Sequence, residues 1–134
     1  MDKTLTYFSY LNKDTDSTIL RKIQMLYLAD WKHCLVYKKQ LTELQWYYNF
    51  CGPYSFELQK ILEKSDYPNI DITFELLTEE EKGILDFVLR KIPELNGREF
   101  TRLVYSTYPV MKKDKYTNFD LPELAIECLN IKIS

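Results

Sequence analysis

The chain is predicted to be an α+β, mainly α protein: a single compact helical domain with a small two-stranded antiparallel β-ribbon. Three observations predict this. Apolar residues recur at helical spacing through one long run, residues 17–38, with no Gly or Pro inside it. Thr78 with Glu81, Asn96 with Glu99 and Asp120 with Glu123 each precede an apolar periodic stretch and read as capping boxes. Residues 45–51 and 70–76 alternate instead, as half-buried strands do. At 134 residues the chain suits one domain able to bury its own core.

Within residues 1–12, the spacing of Leu5, Phe8 and Leu11 favours a short helix beside the long one, although alternation of Leu5, Tyr7 and Leu11 would also suit a strand. Residues 13–16 form a polar turn, and Asp16 and Ser17 offer side-chain oxygens to the first turn of the long helix. Ile19, Leu20, Ile23, Leu26, Tyr27, Trp31, Cys34 and Leu35 make its apolar stripe. Asp30 is the misfit, seven residues after Ile23 and four before Cys34, so it points with the apolar side chains or at their edge. Leaving a carboxylate unpaired there would cost roughly several kcal/mol. It is therefore expected to tie the helix to a neighbouring backbone or basic side chain. Lys32, His33, Lys38 and Lys39 near the helix end form a basic patch that complements the backbone dipole.

In the aromatic strand, Trp46, Tyr48 and Phe50 alternate with Gln45, Tyr47 and Asn49, which puts one face in the core; Gly52-Pro53 breaks it. Ser55 caps a short helix over residues 56–64, with Phe56, Leu58, Ile61 and Leu62 apolar. After a turn at 66–69, Ile70, Ile72, Phe74 and Leu76 alternate, and this strand is expected to pair with the aromatic one. The Thr78 box opens a helix to about Lys91 that buries Ile84, Leu85, Val88 and Ile92, and Pro93 stops it. The Asn96 box opens another, with Phe100, Leu103, Val104 and Thr107 on one face, until Pro109 interrupts. Residues 112–119 read as a polar, basic loop. The Asp120 box then opens a last helix with Leu124, Ala125, Cys128 and Leu129 apolar.

Several function classes lack their parts. A net charge of −2 and a pI near 5.5 give no general attraction to nucleic acid phosphates. The apolar runs are too short for a bilayer, and the first twenty residues lack the basic start and apolar run of a secretory signal. Cys34, Cys51 and Cys128 are odd in number with no CxxC pair, which suggests free thiols and a cytoplasmic setting. His33 and Cys34 are adjacent on a helix and point about 100° apart, so they do not work as a base and nucleophile pair. One His and three scattered Cys do not supply a tetrahedral metal site. Glu79, Glu80 and Glu81 are a first-turn cluster suited to the helix dipole, and three glycines do not make a phosphate loop. No catalytic residue, cofactor or metal is expected, and the chain is not expected to be an enzyme. A binding module remains. Aromatic residues make up 15%, eleven of them Tyr, and they concentrate at residues 46–54 and 105–108, types that dominate contact hot spots.

The order of motifs is informative. Lys22 is followed by Leu26-Tyr27-Leu28-Ala29-Asp30-Trp31, then by the aromatic strand with Gly52-Pro53-Tyr54-Ser55, the Thr78-Glu79-Glu80-Glu81 box, and residues 103–109. This resembles the Panacea domain, the SocA-like antitoxin domain of bacterial and phage genomes, over residues 18–111, with helical extensions on either side within the single domain 1–134. The family pattern has Lys-x-x-x-Leu-Tyr-x-Ala-Asp, an aromatic strand with Gly-Pro-x-Ser, and a late Leu-Thr-His with Pro-Trp following. Here Tyr105 stands in place of the late His and Val110 in place of the Trp. The resemblance implies a type II-like antitoxin that neutralises a cognate toxin protein by direct contact. Family toxins include nucleotide-synthesising and translation-inhibiting enzymes, and at least one relative is a proteolytic adaptor. Asp30 is then expected to pin the main helix, with Tyr27, against the Gly52-Pro53 turn. The exposed edge of strand 45–51, with Trp46, Tyr47, Tyr54, Tyr105 and Tyr108, is the expected toxin-facing surface. Two rival readings are a phage or mobile-element protein binding a host factor, such as a protease or defence protein, and a winged-helix-like nucleic-acid binder. The acid pI and the lack of a helix-turn-helix module beside the domain weigh against the second.

Overall fold

In the computed structural model the described residues are 18–63 and 77–133. The expected elements at residues 1–16 and the strand at 70–76 lie outside them. The described elements run α1 (Ile19–Tyr37), β1 (Trp46–Asn49), β2 (Gly52–Tyr54), α2 (Phe56–Glu63), α3 (Glu79–Lys91), a 3-10 turn (Ile92–Glu94), α4 (Gly97–Tyr105), α5 (Tyr108–Lys112), β3 (Asn118–Phe119) and α6 (Leu121–Ile133). The α+β, mainly helical class is thus the observed one.

Helix α1 begins at Thr18, whose hydroxyl accepts from the Arg21 N–H at 3.1 Å. It ends at Lys38, which takes a left-handed φ of 66° and returns its N–H to Cys34 O. The apolar spacing predicts a stripe, but residues 22–31 are buried without a break. Helices α2, α3 and α6 and strand β2 all pack on α1, so its centre is enclosed rather than laid on a surface. Tyr27 lies at the middle of the core, with ring centroids 5.6 Å from Trp46 and 6.2 Å from Phe119.

The sheet has three short strands in the order β2-β1-β3, so β1 is central and antiparallel to both neighbours. A Phe50-Cys51 turn joins β1 directly to β2, pairing Asn49 with Gly52. Gly52-Pro53 therefore begins the second strand instead of ending the ribbon. Proline is tolerated there because β2 is an edge strand and its missing N–H faces no partner. The other neighbour, β3, comes from residues read as loop. It pairs Trp46 with Phe119 and Tyr47 with Asn118.

The helix boundaries of the C-terminal half follow their caps. Both bonds of the Thr78/Glu81 box and both of the Asn96/Glu99 box are present. Asp120 accepts from the Glu123 N–H at 3.2 Å to open α6. Ile84, Leu85, Val88 and Ile92 are buried as expected, whereas Leu103 is partly exposed on its helix. Pro93 turns α3 into a 3-10 turn, and Pro109 interrupts nothing: it sits in the first turn of α5, where no N–H is required.

Candidate functional site

Polar side chains leave α1 at every third position, and each reaches a different part of the molecule. Three residues advance an α-helix by about 300°, so five such positions sweep about 240° around the axis. Arg21 donates to Ile92 O at 3.2 Å and Leu95 O at 2.8 Å, its guanidinium 4.4 Å from the Phe100 ring centroid. Gln24 Nε2 donates to Cys51 O (3.0 Å) and Pro53 O (3.3 Å). Tyr27 bonds Thr107 Oγ1 at 2.8 Å; the Thr107 proton goes to Val104 O, so Tyr27 is the donor. His33 Nδ1 lies 2.6 Å from Lys39 O, and a carbonyl only accepts, so Nδ1 carries the proton. His33 is buried and belongs to this set, not to a basic surface.

Asp30 is the fifth of these residues and is fully buried. Its Oδ1 accepts from the Thr42 N–H (2.9 Å); its Oδ2 accepts from the Thr42 hydroxyl (2.5 Å) and from Trp46 Nε1 (2.8 Å). Gln40 Nε2 stands 3.5 Å away and serves the carbonyls of Thr42 and Leu44. Burial pushes the Asp30 carboxyl up to about 7, against the Thr42, Trp46 and Leu41 bonds that pull it down. Asp30 thus anchors the 40–46 connection and the start of β1. The tie to Gly52-Pro53 that was expected of Asp30 is made by Gln24. Gly52 has a φ of 106°, and a Cβ on it would come within 3.0 Å of Gln24 Nε2 and 3.3 Å of the Tyr105 hydroxyl. Only glycine suits that turn.

The expected aromatic surface is divided by the fold. Trp46 is 0% exposed, its indole spent on Asp30, so it does not face a partner. β1 has a neighbour on each side and offers no free edge. Tyr47 and Tyr54 are half-buried and converge on Phe56, with centroids 5.8 and 5.2 Å away, and the Tyr54 hydroxyl donates to Gln59 Oε1. Phe56 is 52% exposed and Phe50, at the turn, 68%. Alternation puts Phe50 with Trp46 and Tyr48 in the core, but the strand ends at Asn49 and the turn carries Phe50 outward. Tyr105 lies against Gly52 beside this hairpin, with its hydroxyl pushed upward in pKa chiefly by burial. Tyr108 is elsewhere: its hydroxyl is 3.4 Å from Glu127 Oε2, and its ring lines an apolar cavity of about 470 Å³ between α1, α3, α5 and α6.

A family model for the SocA-like antitoxin, Panacea domain, matches residues 23–109. The chain belongs to that family. No curated protein and no solved structure matches it. The matched region of this Panacea domain runs from α1 to the start of α5, so β3 and α6 lie beyond it although both pack on the matched core. The motif residues sit at the joints of the fold. Leu26 and Ala29 are buried in α1, while Tyr27 and Asp30 bond α1 to residues 107, 42 and 46. Gly52 shapes the hairpin, and Ser55 Oγ accepts from the Leu58 N–H to start α2. Tyr105 faces Gly52 and Val110 is buried in the core. Spacing alone missed Gln24 and Thr42, because a polar residue reads as solvent-facing until its partner is known; it put Thr107 on the apolar face without showing its bond to Tyr27.

Proposed function

We propose that this Panacea domain is an antitoxin-like protein that neutralises a cognate toxin by direct protein–protein contact, without catalysis of its own and in the cytoplasm. The observation that carries this reading is the exposed aromatic hairpin: Phe50 and Phe56 project beside Tyr47 and Tyr54 on a turn fixed from beneath by Gln24. Burying such rings against a partner is favourable, and a pre-positioned turn loses little freedom on binding. With both sides of β1 occupied, recognition goes through side chains and not through strand addition at β1.

The test is growth rescue. The protein encoded beside this one is expressed in a bacterial host, with and without this chain. Toxicity relieved by co-expression, with the two proteins co-purifying, is the expected result. A harmless neighbour, or rescue without a complex, overturns direct neutralisation of that neighbour and favours a host factor as the partner.

A further inference from the structure

Among the described residues, two that are not glycine hold a left-handed backbone: Lys38 with a φ of 66° and Tyr116 with a φ of 69°. Lys38 ends α1, where that conformation closes a helix. Tyr116 closes no helix. Its N–H donates to Tyr48 O at 2.6 Å, while the Tyr48 N–H donates to Thr117 O at 2.9 Å. Two residues entering β3 thus answer to one residue of β1. This is a bulge whose left-handed first position is ordinarily filled by glycine. A bulky residue is disfavoured there because its Cβ crowds the backbone, and it persists only where other bonds fix the conformation. Such bonds are present: besides the two to Tyr48, the Thr117 hydroxyl donates to Asp114 O at 2.7 Å.

The backbone bonds that fix this bulge do not involve the Tyr116 side chain. The residue is 60% exposed, and its phenol makes no hydrogen bond or ring contact with another described residue. The register gives its place. Phe119 stands opposite Trp46 and Asn118 opposite Tyr47, so stepping back along the chain to Tyr116 moves toward the turn that carries Phe50. Phe50, 68% exposed, and Tyr116 therefore stand at the same end of the sheet. A ring held in water at a strained position, beside an exposed aromatic turn, extends that turn's surface. We infer that Tyr116 is a contact residue for the partner protein that the aromatic hairpin binds. Its ring enters an apolar recess of that partner, and its hydroxyl meets a polar group at the edge of the recess. The inference rests on the antitoxin-like reading and adds to it a residue beyond the matched segment 23–109.

The test compares three variants of the full chain with wild type, in melting temperature and in affinity for the protein that co-purifies in the growth-rescue experiment. Tyr116→Gly and Tyr116→Asn both suit a left-handed backbone and both remove the ring. Each is expected to hold or raise the melting temperature and to weaken the complex about tenfold. Tyr116→Phe keeps the ring and the strain, and is expected to weaken the complex only about threefold through the lost hydroxyl. A complex of wild-type strength from the Gly or the Asn chain overturns the inference. So does a lower melting temperature in either, because the ring then serves the fold, and so does a Phe chain as weak as the Gly chain. Any of these, with wild type rescuing growth and forming its complex, sinks the assignment of Tyr116 alone. A wild-type chain that neither rescues growth nor forms a complex sinks the antitoxin-like reading, and the assignment with it.

Discussion

Asp30 is held between two opposing effects, burial favouring its neutral form and the hydrogen bonds donated to it favouring the ion. Its carboxyl is raised from 3.8 to about 7 on folding, so between these values the native state holds a proton that the unfolded chain has released. The stability from this group is full below pH 4 or so and is lost as pH rises through about 7. Urea unfolding should therefore show wild type losing stability between about pH 4 and pH 7, and Asp30→Asn should flatten that loss; a difference of opposite sign rejects the assignment. Asp30→Ala strands the Thr42 amide, the Thr42 hydroxyl and the Trp46 indole in the core, and should cost about 3 kcal/mol or more in the same assay. Unchanged thermal stability with neutralisation abolished would show that Asp30 serves the partner and not the scaffold. That Asp30 needed donors was legible from its place in an apolar stripe. Which donors was not, because Thr42 and Trp46 lie 12 and 16 residues away, across a connection without periodicity. The indole N–H of Trp46, on the inward face of an alternating strand, was the available signal that this residue is no contact residue.

At the scale of elements, legibility divides between helix and sheet. The boxes at Thr78 and Asn96 are local: the donor and acceptor are three residues apart, so the chain announces its own helix starts. Thr78→Ala and Asn96→Ala should each lower unfolding free energy by about 1 kcal/mol. The double variant should lose their sum, since the caps share no partner; a markedly smaller loss would mean that α3 or α4 is held without its cap. Strands carry no comparable label. The two-residue β3 is too short to alternate, and Gly52-Pro53 bears the residues of a break while pairing at an edge. The enclosure of α1 was equally hidden. Tyr27 reads as part of the apolar stripe and Asp30 as its misfit, but the three-residue step distributes residues 21, 24, 27, 30 and 33 around the helix, each bonded to a different segment.

For the whole molecule, the buried polar ties support two exposed surfaces that differ in character, an aromatic turn and an apolar groove walled mainly by helices. Changes on the first should separate binding from folding. Phe50→Ser and Phe56→Ser are expected to leave the melting temperature within a few degrees of wild type and to weaken the co-purifying complex about tenfold. An intact complex would move the contact elsewhere. The central place of β1 has one more consequence. Its partner β2 follows after a two-residue turn, but β3 arrives some 70 residues later along the chain. Closing so long a segment is slow compared with forming a hairpin, because the ends must find one another before any contact rewards the search. A chain emerging from the ribosome can zip the hairpin at once, yet its Tyr48 ladder waits for Tyr116 and Thr117. Until then one flank of the strand stays open, and a stretch synthesised some 70 residues later is the one that shuts it.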